Sequence, residues 1–479
     1  MQQVDEDLLS IQEARILVET ARDAQQLVKE YEQKNLDVIV NKLLEEIKPA
    51  ISQFLTTEIE ETNLGCYKDK EALIFQFLKA WVEELDQQLC VGTIVEDSAG
   101  NVLQVGVPFG VIPVLLPAEN TTLNVLYSLT IGIKSGNAMV LIPHPKAQRT
   151  TYQIFQKIRE ICEANGLPKG CLGCVSARTD KGVNEILASQ DISMILAIGN
   201  QNYINAANYQ RPIIYGGSGA TPVFIERSAD VRKAVQAIID SRSYDCGLLP
   251  ATEQYLIAEG VIASEVKALL QNYGAHFLSK EEEEDLLALL KPKDNQINPS
   301  CIGKNAQWLA NAAKIKVAPT TKVLVSEQNY MHDEDPFANE MKCPVLAFYL
   351  EPDWMHACEK SIRLLKEKNN GHTLAIHSHN KTVLTEFALK KPVGRMIVNA
   401  PASIASLGLE STLPVSVILG GFTTGRGISA KNITAKDLTY VREISYPVEP
   451  ITSNDGLCDT RSIIDAEVLE KILKKIIEE

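Results

Sequence analysis

The chain has 479 residues, 45% of them apolar and 23% charged, and a formal net charge of -14. That length exceeds one compact core and predicts two or three domains, while the acidic balance and a pI near 5.2 exclude sequence-independent nucleic-acid binding, which needs a basic surface to displace phosphate counterions. No uninterrupted apolar stretch approaches the ~18 residues of a membrane span, the acidic start MQQVDEDLLSIQEA lacks the pattern of a secretory signal, and ten scattered cysteines fit reduced thiols, so the expectation is a cytoplasmic protein whose partners are small molecules or protein.

In chain order, residues 10–90 read as several helices, the first marked by Ala14, Leu17, Ala21, Ala24 and Val28 at the spacing of one helical face. Residues 90–107 alternate apolar and polar residues around SAGN at 98–101, the pattern of a hairpin with a turn of small residues. From Phe109 short apolar strands alternate with helices near 125–133 and 151–165, through AMVLIPH, SMILAIG and PIIYGG. This predicts a parallel sheet covered on both faces, with ligands beyond the carboxyl ends of its strands. Three motifs fall at such ends: PAEN at 117–120, PHPK at 143–146, and Gly199 with Asn200. Asn120 either caps the next helix or aims its amide at a ligand. No G-x-G-x-x-G follows any strand. Cys171 and Cys174 read as turn cysteines rather than as half a zinc site, since no second pair or histidine cluster accompanies them.

A helix is predicted over residues 228–240 from Val231, Ala234, Val235, Ile238 and Ile239, with Gly247 as its stop and a strand at 255–257. The corner between them, SRSYDCGLLPATEQYLI at 241–257, is the kind of junction that can present a nucleophile, and its one thiol is Cys246. Ser279 followed by an acidic run predicts a capped, solvated helix. His372, His377 and His379 alternate sides of a strand without a paired carboxylate, so no metal site is expected. After a polar linker at 446–462, residues 464–479 form an amphipathic stripe of Ile464, Val468, Leu469, Ile472, Leu473 and Ile476. That helix either docks on its own body or serves as a tag for association.

The corner resembles the nucleophile segment of CoA-acylating aldehyde dehydrogenases, S-F-D-x-G-x-x-C-A-S-E-Q. Ser243, Tyr244, Asp245, Gly247, Ala251, Thr252, Glu253 and Gln254 follow it without a gap, and the family's cysteine falls on Pro250. PAEN resembles the family's P-S-T-N-P, whose asparagine holds the substrate oxygen. PHPKA is close to the acylating branch's H-P-R-A, found where adenosine binds. Residues 212–225 resemble G-x-G-x-G-N-x-P-V-x-I, with Gly217 and Gly219 retained and no general-base glutamate. Glu340, in the pattern H-P-F-x-x-x-E-x-x-x-P-V-L, stands where the family contacts the nicotinamide ribose. Residues 371–378, RMIVNAP at 395–401 and the glycine loop at 420–425 continue the resemblance, which spans residues 12 to 445. Gly65, Asp69 and Lys70 match a helical family segment, for which a structural role suffices.

The resemblance implies an α/β, aldehyde dehydrogenase-like fold. It has an NAD(CoA)-binding parallel-sheet domain over 1–240 with an oligomerisation hairpin near 90–107, a catalytic domain over 241–425, a return segment and linker over 426–462, and the terminal helix over 463–479. It implies NAD-dependent oxidation of a short aldehyde to an acyl-CoA, as in acetaldehyde and propionaldehyde dehydrogenases, by a homodimer or homotetramer. The implied cofactor is NAD or NADP, with coenzyme A as cosubstrate. Asn120 would hold the oxyanion and Cys246 would have to replace the missing nucleophile. Pro143, His144, Lys146, Gly199, Gly217, Gly219 and Glu340 would bind the cofactor, with no metal, no nucleic acid and no membrane. Some acylating relatives are packed into bacterial microcompartments by appended helices, the association that residues 464–479 would serve. The alternative is an inactive subunit or ligand-binding pseudoenzyme; a hydrolytic enzyme ranks third for want of a general base.

Overall fold

The computed structural model describes residues 5–199, 211–217, 219–291, 296–329, 337, 340–367, 372–421 and 429–447. Met1–Arg442 makes one compact unit, and Glu443–Glu479 a second whose residues beyond 447 lie outside the described ones, the terminal helix expected at 464–479 included.

Four helices open the chain: α1 (Glu6–Val28), α2 (Gln33–Glu46), α3 (Ile51–Thr62) and α4 (Tyr67–Asp86). Of the stripe predicted for α1, Ala14, Ala21, Ala24 and Val28 are buried and Leu17 is half-buried, while Val18, which the stripe left out, is buried beside them. The hairpin follows as β1 (Gly92–Glu96) and β2 (Val102–Pro108), antiparallel with bulges. Its turn is tied by Asp97, whose carboxylate accepts from the amides of Ala99 and Asn101, each at 2.9 Å. β2 also pairs with a late strand, β15 (Thr439–Glu443), so the ribbon is three strands wide, which meets the need of a two-stranded ribbon for further support.

The first parallel sheet has the order β5-β4-β3-β6-β7, from β3 (Val111–Leu115), β4 (Ala138–Ile142), β5 (Leu172–Cys174), β6 (Ile195–Ile198) and β7 (Ile213–Gly216). Between these strands run α5 (Thr121–Lys134), α6 (Gln148–Ala164) and α7 (Asp180–Ala188). β3 and β4 are buried at every residue, as strands covered on both faces must be. Cys171 and Cys174 are not turn cysteines: Cys174 ends β5 and Cys171 precedes it. Both are buried, and burial pushes both thiols up to about 12. Three apolar residues between loops were too short a run to register as a strand.

The second parallel sheet has the order β10-β11-β12-β9-β8-β13-β14. Its members are β8 (Thr221–Ile225), β9 (Glu253–Glu259), β10 (Ala275–Phe277), β11 (Val323–Glu327), β12 (Val345–Glu351), β13 (Thr373–His377) and β14 (Arg395–Val398). With them come α8 (Val231–Ser243), α9 (Ala263–Asn272), α10 (Lys280–Leu290), α11 (Ala306–Ala312), α12 (Trp354–Glu367), α13 (Lys381–Lys390) and α14 (Ala402–Ala405). Along β9 the side chains alternate between two cores, Tyr255 and Ile257 in one, Leu256 and Ala258 in the other. Since β8 pairs with β9 and β13, this sheet begins at Thr221, some way before the boundary drawn at 241. Ser279 caps α10 with Glu282 in reciprocal bonds, as its spelling predicts. After α14 the chain returns to the first core through Leu407, Val417 and Leu419, so the two sheets face one cleft.

Candidate active site

The corner is held by backbone bent three times in succession. α8 ends at Ser243, not at Gly247, and Asp245 (φ 45), Cys246 (φ 55) and Gly247 (φ 76) all lie in the left-handed region. That conformation is costly for the two non-glycine residues, and Asp245 is fixed in it from outside. Its amide donates to Asp69 Oδ2 at 2.9 Å, and its Oδ1 accepts from the Cys66 amide at 2.8 Å. Gly65 lets this happen: a Cβ there would stand 2.1 Å from Asp245 Oδ1.

Lys70 joins the corner to the cleft. Its ammonium donates to Asp245 Oδ2 and to Asn120 Oδ1, both at 2.8 Å, and lies 3.3 Å from Glu58 Oε1. Burial pulls this ammonium down, but Asp245 and Glu58 outweigh it and hold it above the ordinary lysine value. Glu58 in turn accepts from Thr122 through its amide at 2.8 Å and its hydroxyl at 2.6 Å, which pins the first turn of α5. Asn120 precedes that helix, at φ 49, yet its side chain makes no capping bond. Because an ammonium can only donate, the amide oxygen must face Lys70, which leaves the Nδ2 donor for the cleft. Lys70 is thus part of the site, a role its sequence pattern did not suggest.

The cleft lies beyond the carboxyl ends of β3, β6 and β7. It brings together Asn120, Gly199, Gly217, Pro250 and Glu340 from the predicted set. Cys246, Pro143, His144, Lys146 and Gly219 do not line it. Pro143 is buried at the end of β4, His144 is half-buried with Nδ1 accepting from the Lys146 amide at 3.1 Å, and Lys146 is exposed. Burial holds the His144 imidazole below its usual range. Gly219 is buried, and Asn200 and residues 422–428 lie outside the described ones.

Cys246 does not stand where the sequence reading required a nucleophile. It is buried, it is absent from the cleft wall, and burial, followed by Asp245, pushes its thiol up to about 12. Reactive cysteines have the opposite setting, a depressed pKa beside cations. Among the described residues lining the cleft there is neither cysteine nor serine.

Two features were missed from the sequence. Glu119 and Lys342 line the cleft and pair at 2.6 Å; although burial pushes the Glu119 carboxyl up, Lys342 holds it down at about 2. A lone acidic residue beside a substrate asparagine and a lone lysine near Glu340 carry no mutual signal, being 223 residues apart. His372 lies behind Pro250. Its imidazole is close to the Pro250 carbonyl, its Nε2 makes no full hydrogen bond, and burial first, then Arg395, pushes it down to about 3. Among the described residues no group of histidine, cysteine and carboxylate could hold a metal.

The cleft fits a dinucleotide end. It has no side chain at Gly199 and Gly217, and Glu340 is among its lining residues, an arrangement with room for such a group and a carboxylate that a diol could meet. It does not fit covalent capture of a carbonyl, because Pro250 has no nucleophilic atom.

Residues 8–406 match the aldehyde dehydrogenase family. Among curated proteins, the succinate-semialdehyde dehydrogenase (acetylating) of Clostridium kluyveri is 29% identical over 90% of this chain and 95% of its own length. Among solved structures, a probable aldehyde dehydrogenase from Listeria monocytogenes superposes with a TM-score of 0.89 at 35% identity, covering 94% of this chain and 99% of that one. An acetylating aldehyde dehydrogenase from Geobacillus thermoglucosidasius gives 0.89 at 30% identity, over 93% and 99%. No described helix is long and apolar enough to cross a membrane.

Proposed function

Because the chain belongs to the aldehyde dehydrogenase family, we propose that its cleft binds a nicotinamide dinucleotide, coenzyme A and a short aldehyde in the manner of the CoA-acylating branch, as a subunit that has lost the covalent nucleophile. The observation that carries this reading is Pro250 in the wall of the cleft that Asn120 also lines, with Cys246 buried outside it. When bound, the dinucleotide would supply the hydride acceptor. The chain's own groups have three tasks. Gly199, Gly217 and Glu340 receive the nicotinamide end, Pro143, His144 and Lys146 the adenosine end, and Asn120, oriented by Lys70, donates Nδ2 to a carbonyl oxygen. Such a donor is worth about 3 to 4 kcal/mol where negative charge develops on that oxygen.

Loss of a nucleophile commonly costs 10⁴ to 10⁶ in rate, about 5 to 8 kcal/mol, so the natural chain is expected to turn over far more slowly than a relative with a cysteine at position 250. Oligomerisation through residues 90–107 and association through residues 464–479, with a microcompartment shell among the candidates, belong to the same proposal. Titration calorimetry with NAD, NADP and CoA, together with NADH formation from short aldehydes with and without CoA, tests it. Binding of a dinucleotide or CoA without measurable turnover, and a gain of turnover in Pro250→Cys, are the expected results. Failure of all three ligands to bind at millimolar concentration overturns the ligand-site reading. Turnover in the natural chain that Cys246→Ala abolishes would instead restore Cys246 as the nucleophile.

A further inference from the structure

Away from the cleft, Lys391 is buried at the end of α13, and its Nζ stands 2.6 Å from Cys358 Sγ on α12. Its other neighbour is the Phe387 ring, 4.3 Å from the ammonium. No carboxylate pairs with it among the described residues, whereas the adjacent Lys390 pairs with Glu386 at 2.5 Å. A buried ammonium without an anion is unstable relative to the free amine, and burial does pull Lys391 below the ordinary lysine value. The structure therefore places a desolvated amine and a thiol in contact, with both residues retaining a few per cent exposure, 4% at Cys358 and 7% at Lys391, enough for a small oxidant to approach. The other described cysteines have no amine within hydrogen-bond distance in this structure.

We infer that Cys358 and Lys391 form an oxidant-driven covalent cross-link, a sulfenamide that joins α12 to the end of α13. The co-reactant is a peroxide. Hydrogen peroxide oxidises the Cys358 thiol to sulfenic acid and is itself reduced, releasing one water. The Lys391 amine then attacks that sulfur, the S–N bond forms, the S–O bond breaks, and the hydroxyl leaves with an amine proton as a second water. The amine already stands inside the ~3 to 3.5 Å of a near-attack geometry. A thiol reverses the link by attacking the same sulfur. The cross-link would fix the segment running from Lys391 to Arg395, whose guanidinium holds the His372 carbonyl at 3.0 Å.

The full-length protein is treated with hydrogen peroxide, its remaining thiols are alkylated under denaturing conditions, and its peptides are mapped by mass spectrometry. The expected product is a peptide pair joined through Cys358 and Lys391 that has lost two hydrogens. It should disappear on dithiothreitol treatment and be absent from Lys391→Met and Cys358→Ser. Recovery of Cys358 as alkylated thiol, or as sulfinic or sulfonic acid with Lys391 unmodified, overturns the proposal. A link that retains an oxygen overturns the S–N assignment. Because the parent protein alone gives these readouts, a variant that fails to fold does not shield the proposal.

Discussion

Lys70→Met separates the charge network from simple packing. Methionine keeps most of the side-chain volume but leaves Glu58 and Asp245 facing each other without a cation, both carboxylates essentially inaccessible to water. Removing one partner of a buried ion pair costs about 3 to 5 kcal/mol, and with two carboxylates left behind the upper figure applies. At ~2.1 cal/mol/K per residue of unfolding entropy, over the unit Met1–Arg442, that corresponds to a Tm lower by about 5 °C. The pH dependence has a definite sign. Burial already pushes the Asp245 carboxyl above its usual range and Lys70 only partly offsets it. Without Lys70 it rises further, so the folded variant binds more protons than the unfolded chain and loses stability as pH rises through that raised value. The deficit relative to the parent is therefore expected to be larger at about pH 8 than at about pH 5.5, read by circular-dichroism melts at both. A variant that melts within a degree of the parent at both pH values, or whose deficit grows on acidification, would refute the assignment of Lys70 as the cation of this network.

Three further outcomes follow from other parts of the fold. Burial pushes the Glu253 carboxyl up to about 7, so against an ordinary unfolded glutamate the parent should lose about 3 kcal/mol as pH climbs from ~4 to ~7, and denaturant titrations of Glu253→Gln should lack that component. Glu119→Gln and Lys342→Met should each destabilise by about 1 to 3 kcal/mol, while the double variant costs less than their sum; additive values would show that the pair is uncoupled. Gly247→Ala should cost about 1 to 2 kcal/mol because the position is left-handed and the added Cβ would meet the Cys343 carbonyl carbon at 3.1 Å, and an unchanged Tm would show that the corner can relax.

Most of the architecture was legible from local pattern. Short apolar runs mark β3, β4, β6 and β7, and a helical stripe marks α8, because a strand buried on both faces reads as a continuous apolar run while a helix buried on one face repeats every three or four residues. The motifs at 117–120 and 143–146 and Gly199 fall at strand ends for the same reason, and the absence of a thiol at position 250 is a fact of the sequence itself. What the chain did not disclose depends on residues far apart in it. Lys70 meets Asp245 from 175 positions away and Asn120 from 50, and neither partner alters the local spelling of the other. Only packing decides that Asn120 lines the cleft rather than capping α5, and only the assembled core, by burial first and then Asp245, pushes Cys246 up to about 12. Periodicity is set by neighbours along the chain, whereas the orientation of a donor and the charge of a buried group are set by whatever the tertiary structure brings into contact with them.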